Sequence, residues 1–113
     1  SPKDSTNGTN MAKIQIKVLK TYVLEEFQNY LKTQIEKCPV FAAGQVFETE
    51  YEKPKGFCDW AWNDIHSYVA SLMTGGSFSE GMFQDWMKDK NSIIACCTDG
   101  VRPVVFEIKR IEK

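Results

Sequence analysis

The 113-residue sequence carries almost no excess of either charge, no long apolar run and a single histidine. Its 14 Lys and Arg against 15 Asp and Glu give a net charge of −1. We therefore expect neither the counterion release that drives nucleic-acid binding nor attraction to anionic lipid. No apolar run approaches the roughly 20 residues of a membrane span, and no apolar signal-peptide core lies near the start. These absences predict a cytoplasmic protein without nucleic-acid or membrane partners.

The sequence also lacks the short motifs that announce common enzymes. It contains no Gly-x-Gly-x-x-Gly, no P-loop, no His-Glu-x-x-His and no Gly-x-Ser-x-Gly. The Cys-x-x-Cys of thioredoxin-like enzymes is absent as well. One histidine leaves little scope for general acid–base catalysis. The sequence therefore favours a non-enzymatic function.

Thiols and indoles are what the sequence has in unusual concentration. Four cysteines and three tryptophans occur in the chain. Two of those tryptophans, together with Cys58 and nearby His66, lie at or close to residues 56–62. Because cytosolic thiols stay reduced, and because the adjacent Cys96 and Cys97 are poorly placed to bridge each other, we expect free thiols rather than disulfides.

The length is enough for one domain with one core. Residues 1–10 contain no large apolar side chain, so we expect a disordered tail or a remnant of cloning there. Residues 11–113 are expected to form a single domain.

Hydrophobic periodicity predicts a small α+β fold in the order β-α-β-α-(α)-β-β. The sheet is expected to be mixed or antiparallel, with about four strands and the helices packed on one face. The predicted strands are residues 13–20, 44–51, 91–97 and 101–111. The predicted helices are residues 22–35 and 60–73, with a short helix or turn within residues 79–88.

The last two strands form the clearest predicted hairpin, because Asp99-Gly100 favours a two-residue type I′ turn. That turn places Cys97 opposite Arg102, with the Cys97 side chain on the core face. A three-residue loop with Gly100 in a bulge would turn Cys96 inward instead, since a one-residue slip inverts the faces of a strand. The sequence leaves both arrangements open.

The leading functional hypothesis is a binding domain for a small molecule or a protein, with a pocket between the second helix and the hairpin. Trp60 and Trp62 project about 200° apart on a helix, so at least one lies away from the apolar stripe. Indoles in such positions often line clefts or anchor partners. The alternative is simple packing, with Cys58 as a small buried residue. The predicted ligand-binding residues are Cys58, Trp60, Trp62, Cys97 and Arg102.

Two further hypotheses use the thiols. A zinc or iron–sulfur site would draw its ligands from several segments, although their spacing matches no common metal motif. Its candidate ligands are Cys38, Cys58, His66, Cys96 and Cys97. Thiol redox chemistry would pair Cys96 or Cys97 with Cys38 or Cys58, and Arg102 beside Cys97 would favour its thiolate. No cofactor is predicted outright, and His66 alone is expected to be a structural residue of the helix surface.

Three segments together resemble a family of short microbial conserved hypothetical proteins of unknown function. The segments are Cys-Pro-Val-Phe at residues 38–41 followed by Gly44, Gly-Phe-Cys-Asp-Trp-Ala-Trp at 56–62, and Cys-Cys-Thr-Asp-Gly-Val-Arg-Pro-Val at 96–104. The resemblance covers residues 11–113 and implies a shared fold in which the cysteine-bearing segments are distinctive. It implies no activity, substrate or cofactor. The sequence departs from the family at Asp59, where proline is more frequent.

Overall fold

The computed structural model describes residues 12–50 and 52–112, with side chains described as far as residue 111. The expectation for residues 1–10 lies outside this part of the chain. In chain order the strands are β1 (Lys13–Thr21), β2 (Val46–Thr49), β3 (Ser92–Cys96) and β4 (Val104–Glu112). The α-helix, α1, spans Asp59–Met73, and short 3-10 helices span Glu25–Tyr30 and Gly81–Phe83.

The four described strands form one antiparallel sheet in the order β2-β1-β4-β3. Ile16 of β1 lies opposite Phe47 of β2 and Ile108 of β4, and Ile108 lies opposite Ile93 of β3. Because side chains alternate across a strand, this register puts one apolar row on a single face of the sheet. The predicted α+β class, the four-stranded sheet and the C-terminal hairpin are confirmed.

Helix α1 packs against that apolar face and closes the core. The sheet contributes fully buried aliphatic and aromatic side chains from three strands. They are Ile14, Ile16, Val18, Ile93, Val104, Phe106 and Ile108. The helix contributes a stripe at the spacing of one helical face. Its buried residues are Ala61, Ile65, Val69, Leu72 and Met73.

Phe57, two residues before the helix, joins three parts of the chain in one aromatic cluster. Its ring centroid lies 4.9 Å from that of Phe41, 5.0 Å from Phe47 and 5.6 Å from Phe106. Most of these pairs meet edge to face, the arrangement that ring quadrupoles favour. The start of α1 is therefore fixed against β2, β4 and the segment before β2 by one side chain.

The helix predicted over residues 22–35 is present only as the 3-10 helix Glu25–Tyr30, and none of its six residues is buried. Upstream of it, Tyr22 N–H donates to Pro103 O and Leu24 N–H to Val101 O, so the chain continues alongside the β3–β4 loop. Downstream, the Gln28 amide bonds the backbone of Thr33 and Ile35. With its ends held this way and none of its six residues buried, the segment does not support a longer helix.

The hairpin register differs by two residues from the predicted one. Ala95 lies opposite Phe106, and Cys97 N–H donates to Val104 O at 3.2 Å. Gly100 lies outside the left-handed region that a type I′ turn requires, and residues 98–103 form a longer loop. Because the shift is an even number, Cys97 stays on the inner face as the two-residue turn predicted, and Cys96 is exposed on the outer face.

The end of α1 is fixed by glycine and by an arginine from β4. Gly75 adopts φ +99°, and its N–H donates to Leu72 O at 3.2 Å, as in common helix C-caps. Arg110 donates from Nη1 to Leu72 O and Gly76 O, each at 2.7 Å, and from Nη2 to Asn91 Oδ1. One guanidinium thus bonds a carbonyl of the last helical turn and one just beyond it, and ties both to the chain entering β3.

We predict that Gly76→Ala destabilises the protein whereas Gly100→Ala does not. A Cβ at Gly76 would lie 2.8 Å from the backbone oxygen of Ser71, so the helix end must shift, at a cost of about 1–3 kcal/mol. A Cβ at Gly100 meets nothing within 4 Å, so the change should stay within about 0.5 kcal/mol. Urea unfolding of both variants measures the difference. Equal stabilities would contradict the close approach at Gly76.

Candidate functional site

Three segments that are distant in sequence meet at one small cleft. The cleft has a volume of about 100 Å³ and a mostly apolar lining. We call it the thiol cleft. It is lined by Cys38, Pro39, Val40, Phe41, Cys58, Trp60, Ala61, Cys97, Asp99, Arg102 and Val104. Four of the five predicted ligand-binding residues, and three of the four cysteines, are on that wall.

Each of the three thiols reaches the cleft through a different structural element. Cys38 lies in the irregular segment that Phe41 anchors, because the Phe41 ring packs 5.1 Å from Phe106. Cys58 is the N-cap residue of α1; its backbone carbonyl accepts from Trp62 N–H at 2.9 Å, and its thiol makes no capping hydrogen bond. Cys97 directly follows β3. All three side chains are partly buried.

Cys97 and Cys96 have contrasting surroundings. The N–H of Val104 donates to the Cys97 sulfur at 3.4 Å, which orients that thiol on the inner face. Cys96 points to the opposite face and is exposed. Partial desolvation raises the pKa of Cys96, and the neighbouring Cys97 and the Asp64 carboxylate raise it further. The two adjacent thiols therefore lie on opposite faces of the strand and in different surroundings.

The indole of Trp60 is held at the rim of the cleft by a chain of hydrogen bonds. Trp60 Nε1 donates to Thr98 Oγ1 at 2.7 Å, and Thr98 Oγ1 donates to Asp64 at 3.0 Å. Thr98 N–H also donates to Asp64 Oδ2 at 2.7 Å. This network ties the first turns of α1 to the β3–β4 loop. No local sequence pattern links Asp64 to Thr98, because the two residues are 34 positions apart.

Asp99 organises the other side of the rim. Its Oδ1 accepts from the N–H groups of Val101 (2.9 Å) and Arg102 (3.1 Å), and its Oδ2 accepts from Arg102 Nε at 3.0 Å. Burial acts to raise the pKa of Asp99, but these hydrogen bonds and the guanidinium outweigh it, so the pKa is lowered. The carboxylate thus replaces the predicted tight turn as the element that shapes the loop.

Three of the predicted site residues, Trp62, His66 and the exposed Cys96, lie away from the cleft. Trp62 packs with its ring centroid 5.9 Å from Phe57 and 5.2 Å from His66, and it does not line the cleft. His66 is exposed on α1. In the buried apolar stripe of the helix, Ala61 takes the place expected for Trp62. Trp60 is the indole that lines the cleft.

The predicted metal-ligand set is not assembled. In residues 12–50 and 52–112, no group of three or more His, Cys, Asp or Glu side chains is arranged to hold a metal ion. Cys38, Cys58 and Cys97 share the cleft wall, but His66 and Cys96 are elsewhere. A larger depression of about 550 Å³ lies beside Glu48 and Pro54, and the described residues that line it are mostly charged and include no cysteine.

Comparisons with known proteins do not assign the chain to a family or a function. No family model matches the sequence, and neither a curated protein nor a solved structure is detectably similar to it. Among the described helices, none has both the length and the apolarity needed to cross a bilayer.

We predict that Asp99 makes stability depend on acid pH. Because its folded-state pKa is lowered, its contribution is present above the ordinary pKa of an aspartate and is lost as pH falls through the lower folded value. Asp99→Asn should reduce the free energy of unfolding at pH 7 by about 1 kcal/mol and flatten the loss of stability below about pH 4.

Asp59→Asn is the matched control, because the Asp59 carboxylate is 92% exposed and its ion pair with Lys53 should contribute little. Urea unfolding at a series of pH values between about 2 and 7 measures both variants. An acid profile of Asp99→Asn that matches the unsubstituted protein would refute the role of this carboxylate.

Proposed function

We propose that the protein is a non-enzymatic binding domain and that the thiol cleft holds its ligand, a small molecule. The observation that carries the proposal is the convergence of Cys38, Cys58 and Cys97 from three separate segments on one cleft that Trp60 also lines. A concave, mostly apolar site with a few polar groups at its rim has the general form of a small-molecule site.

The size of the cleft limits the ligand. An engineered apolar cavity of about 150 Å³ accepts benzene, so a cleft of about 100 Å³ has room for a group of roughly five heavy atoms. The thiols, the Trp60 indole and the Val104 side chain are suited to contact the apolar part of a ligand. We therefore expect a compact, branched or short-chain ligand rather than a nucleotide or a sugar.

Arg102 supplies a charged group at the rim. Its Nε is used by Asp99, whereas its Nη atoms make no hydrogen bond or ion pair to any described residue. A guanidinium with free Nη donors suits a carboxylate, which it can bind through two hydrogen bonds. A short-chain carboxylate with its apolar end among the thiols therefore fits both parts of the site.

The proposal predicts that isobutyrate binds the cleft more tightly than isobutyramide, and that Cys97→Met abolishes binding. Methionine adds two heavy atoms to a wall of the cleft and fills much of its volume. Cys96→Met is the matched control, because the same change occurs at the neighbouring thiol on the outer face. Titration by two-dimensional amide NMR should shift resonances of residues 38–41, 58–61 and 97–104 in the control variant only.

Two results would count against the proposal. One is the absence of shifts at these residues with either probe, and the other is equal binding by Cys97→Met and Cys96→Met. The elemental content of anaerobically purified protein tests the alternative of a cysteine-ligated metal. Stoichiometric zinc or iron would replace the small-molecule proposal by that alternative.

A further inference from the structure

The strand order leaves β3 at an edge of the sheet. Alternate residues of an antiparallel strand direct their N–H and C=O groups to the same neighbour. Arg110 N–H donates to Asn91 O, and Cys97 N–H donates to Val104 O, so the odd-numbered residues of this segment face β4. The N–H and C=O groups of Ile94 and Cys96 therefore point away from the sheet. Neither residue has a backbone partner on that side among the described residues.

Three common protections of an edge strand against pairing are absent from β3. Monomeric proteins blunt edge strands with charges, proline or bulges. The β3 sequence, Ser-Ile-Ile-Ala-Cys, has no charge and no proline, and its pairing with β4 is continuous. The opposite edge, β2, is one residue shorter and carries Glu48, which lies 3.8 Å from the Lys13 ammonium.

Exposed apolar side chains lie beside the unprotected edge. Met82 is 85% exposed, Trp86 67% and Ile94 41%. Together with Tyr68, Phe83 and Ile93 they border a depression of about 250 Å³. A second strand placed along β3 would cover this surface as well as the free backbone groups.

We propose that β3 pairs antiparallel with β3 of a second copy of this chain, about a two-fold axis at Ala95. In this register Ile94 of each copy lies opposite Cys96 of the partner subunit. Two hydrogen bonds join each opposed pair, because each residue donates its N–H to the C=O of the other. All the outward donors and acceptors of Ile94 and Cys96 are then satisfied, and the small Ala95 lies on the axis. A dimer about a two-fold axis is the commonest homo-oligomer.

The register and the occupant both follow from the strand itself. An axis at Ile94 would require the N–H of Ser92, which already donates to Asp89 O at 3.1 Å. The axis at Ala95 uses only free groups, and an identical strand supplies all of them reciprocally. A net charge of −1 per chain gives little repulsion between copies. The proposal does not depend on the thiol cleft, because Cys96 and Ile94 lie on the outer face.

Sedimentation velocity between about 10 µM and 1 mM should show a monomer–dimer equilibrium, since a short edge gives a small, weak interface. Ile94→Pro removes one outward N–H without touching the ladder to β4, and should leave a monomer throughout this range. Val46→Pro is the matched control: it replaces an exposed β-branched residue at the other edge and should leave the dimer intact. A monomer at every concentration, or a dimer that survives Ile94→Pro, overturns the proposal.

Amide hydrogen exchange of the unsubstituted protein tests the same edge without relying on a folded variant. Protection of the Ile94 and Cys96 amides should rise with protein concentration, because pairing removes them from solvent. Protection of the Val46 and Glu48 amides should stay constant. Concentration-independent exchange at Ile94 and Cys96 contradicts the proposed pairing, and protection that rises at β2 instead assigns the interface to the opposite edge.

Discussion

The packing of Phe57 is the interaction on which the rest of the structure depends. Its ring packs against Phe41 before β2, Phe47 in β2 and Phe106 in β4. These contacts fix where α1 begins, since Phe57 precedes the helix by two residues. They also hold the segment containing Cys38 against the sheet. Without this cluster, the three thiol-bearing segments would have no common anchor.

Two polar networks then fix the rim of the cleft above the aromatic cluster. Asp64 and Thr98 hold the Trp60 indole, and Asp99 holds Arg102. Each network includes a carboxylate that is used for positioning. The cleft is therefore a prearranged concavity, in which a ligand would lose little free energy to ordering of the protein. This property is the one that the proposed binding function requires of the site.

The sequence predicted those parts of the fold that depend on periodicity. The alternation of Ile14, Ile16 and Val18 indicated β1, and Gly75 marked the end of α1. The orientation of Cys97 followed from the two-residue turn, although the register was two residues off, because an even shift preserves the faces. Four of the five predicted ligand-binding residues lie together at the cleft, two from the start of α1 and two from the end of the hairpin.

What the sequence could not predict depends on contacts between distant residues. The stripe over residues 22–35 resembles an amphipathic helix, but hydrogen bonds to Pro103 O and Val101 O hold its start in an extended path. Trp62 was assigned to the cleft, yet the larger cluster around Phe57 takes its ring. The role of Asp64 rests on Thr98, and no local pattern joins the two residues.

The central claim is that Phe57 holds Cys38, Cys58 and Cys97 in one cleft, and native-state alkylation tests it most directly. Mass spectrometry can follow iodoacetamide labelling of each thiol in Phe57→Leu and in Phe78→Leu, a matched change at the buried ring that packs with Tyr68 and Phe83. We predict that iodoacetamide labels the three cleft thiols faster in Phe57→Leu but not in Phe78→Leu. The labelling rate of Cys96 should be unchanged in both variants. Equal acceleration in the two variants, or acceleration of a single cleft thiol, would contradict the account.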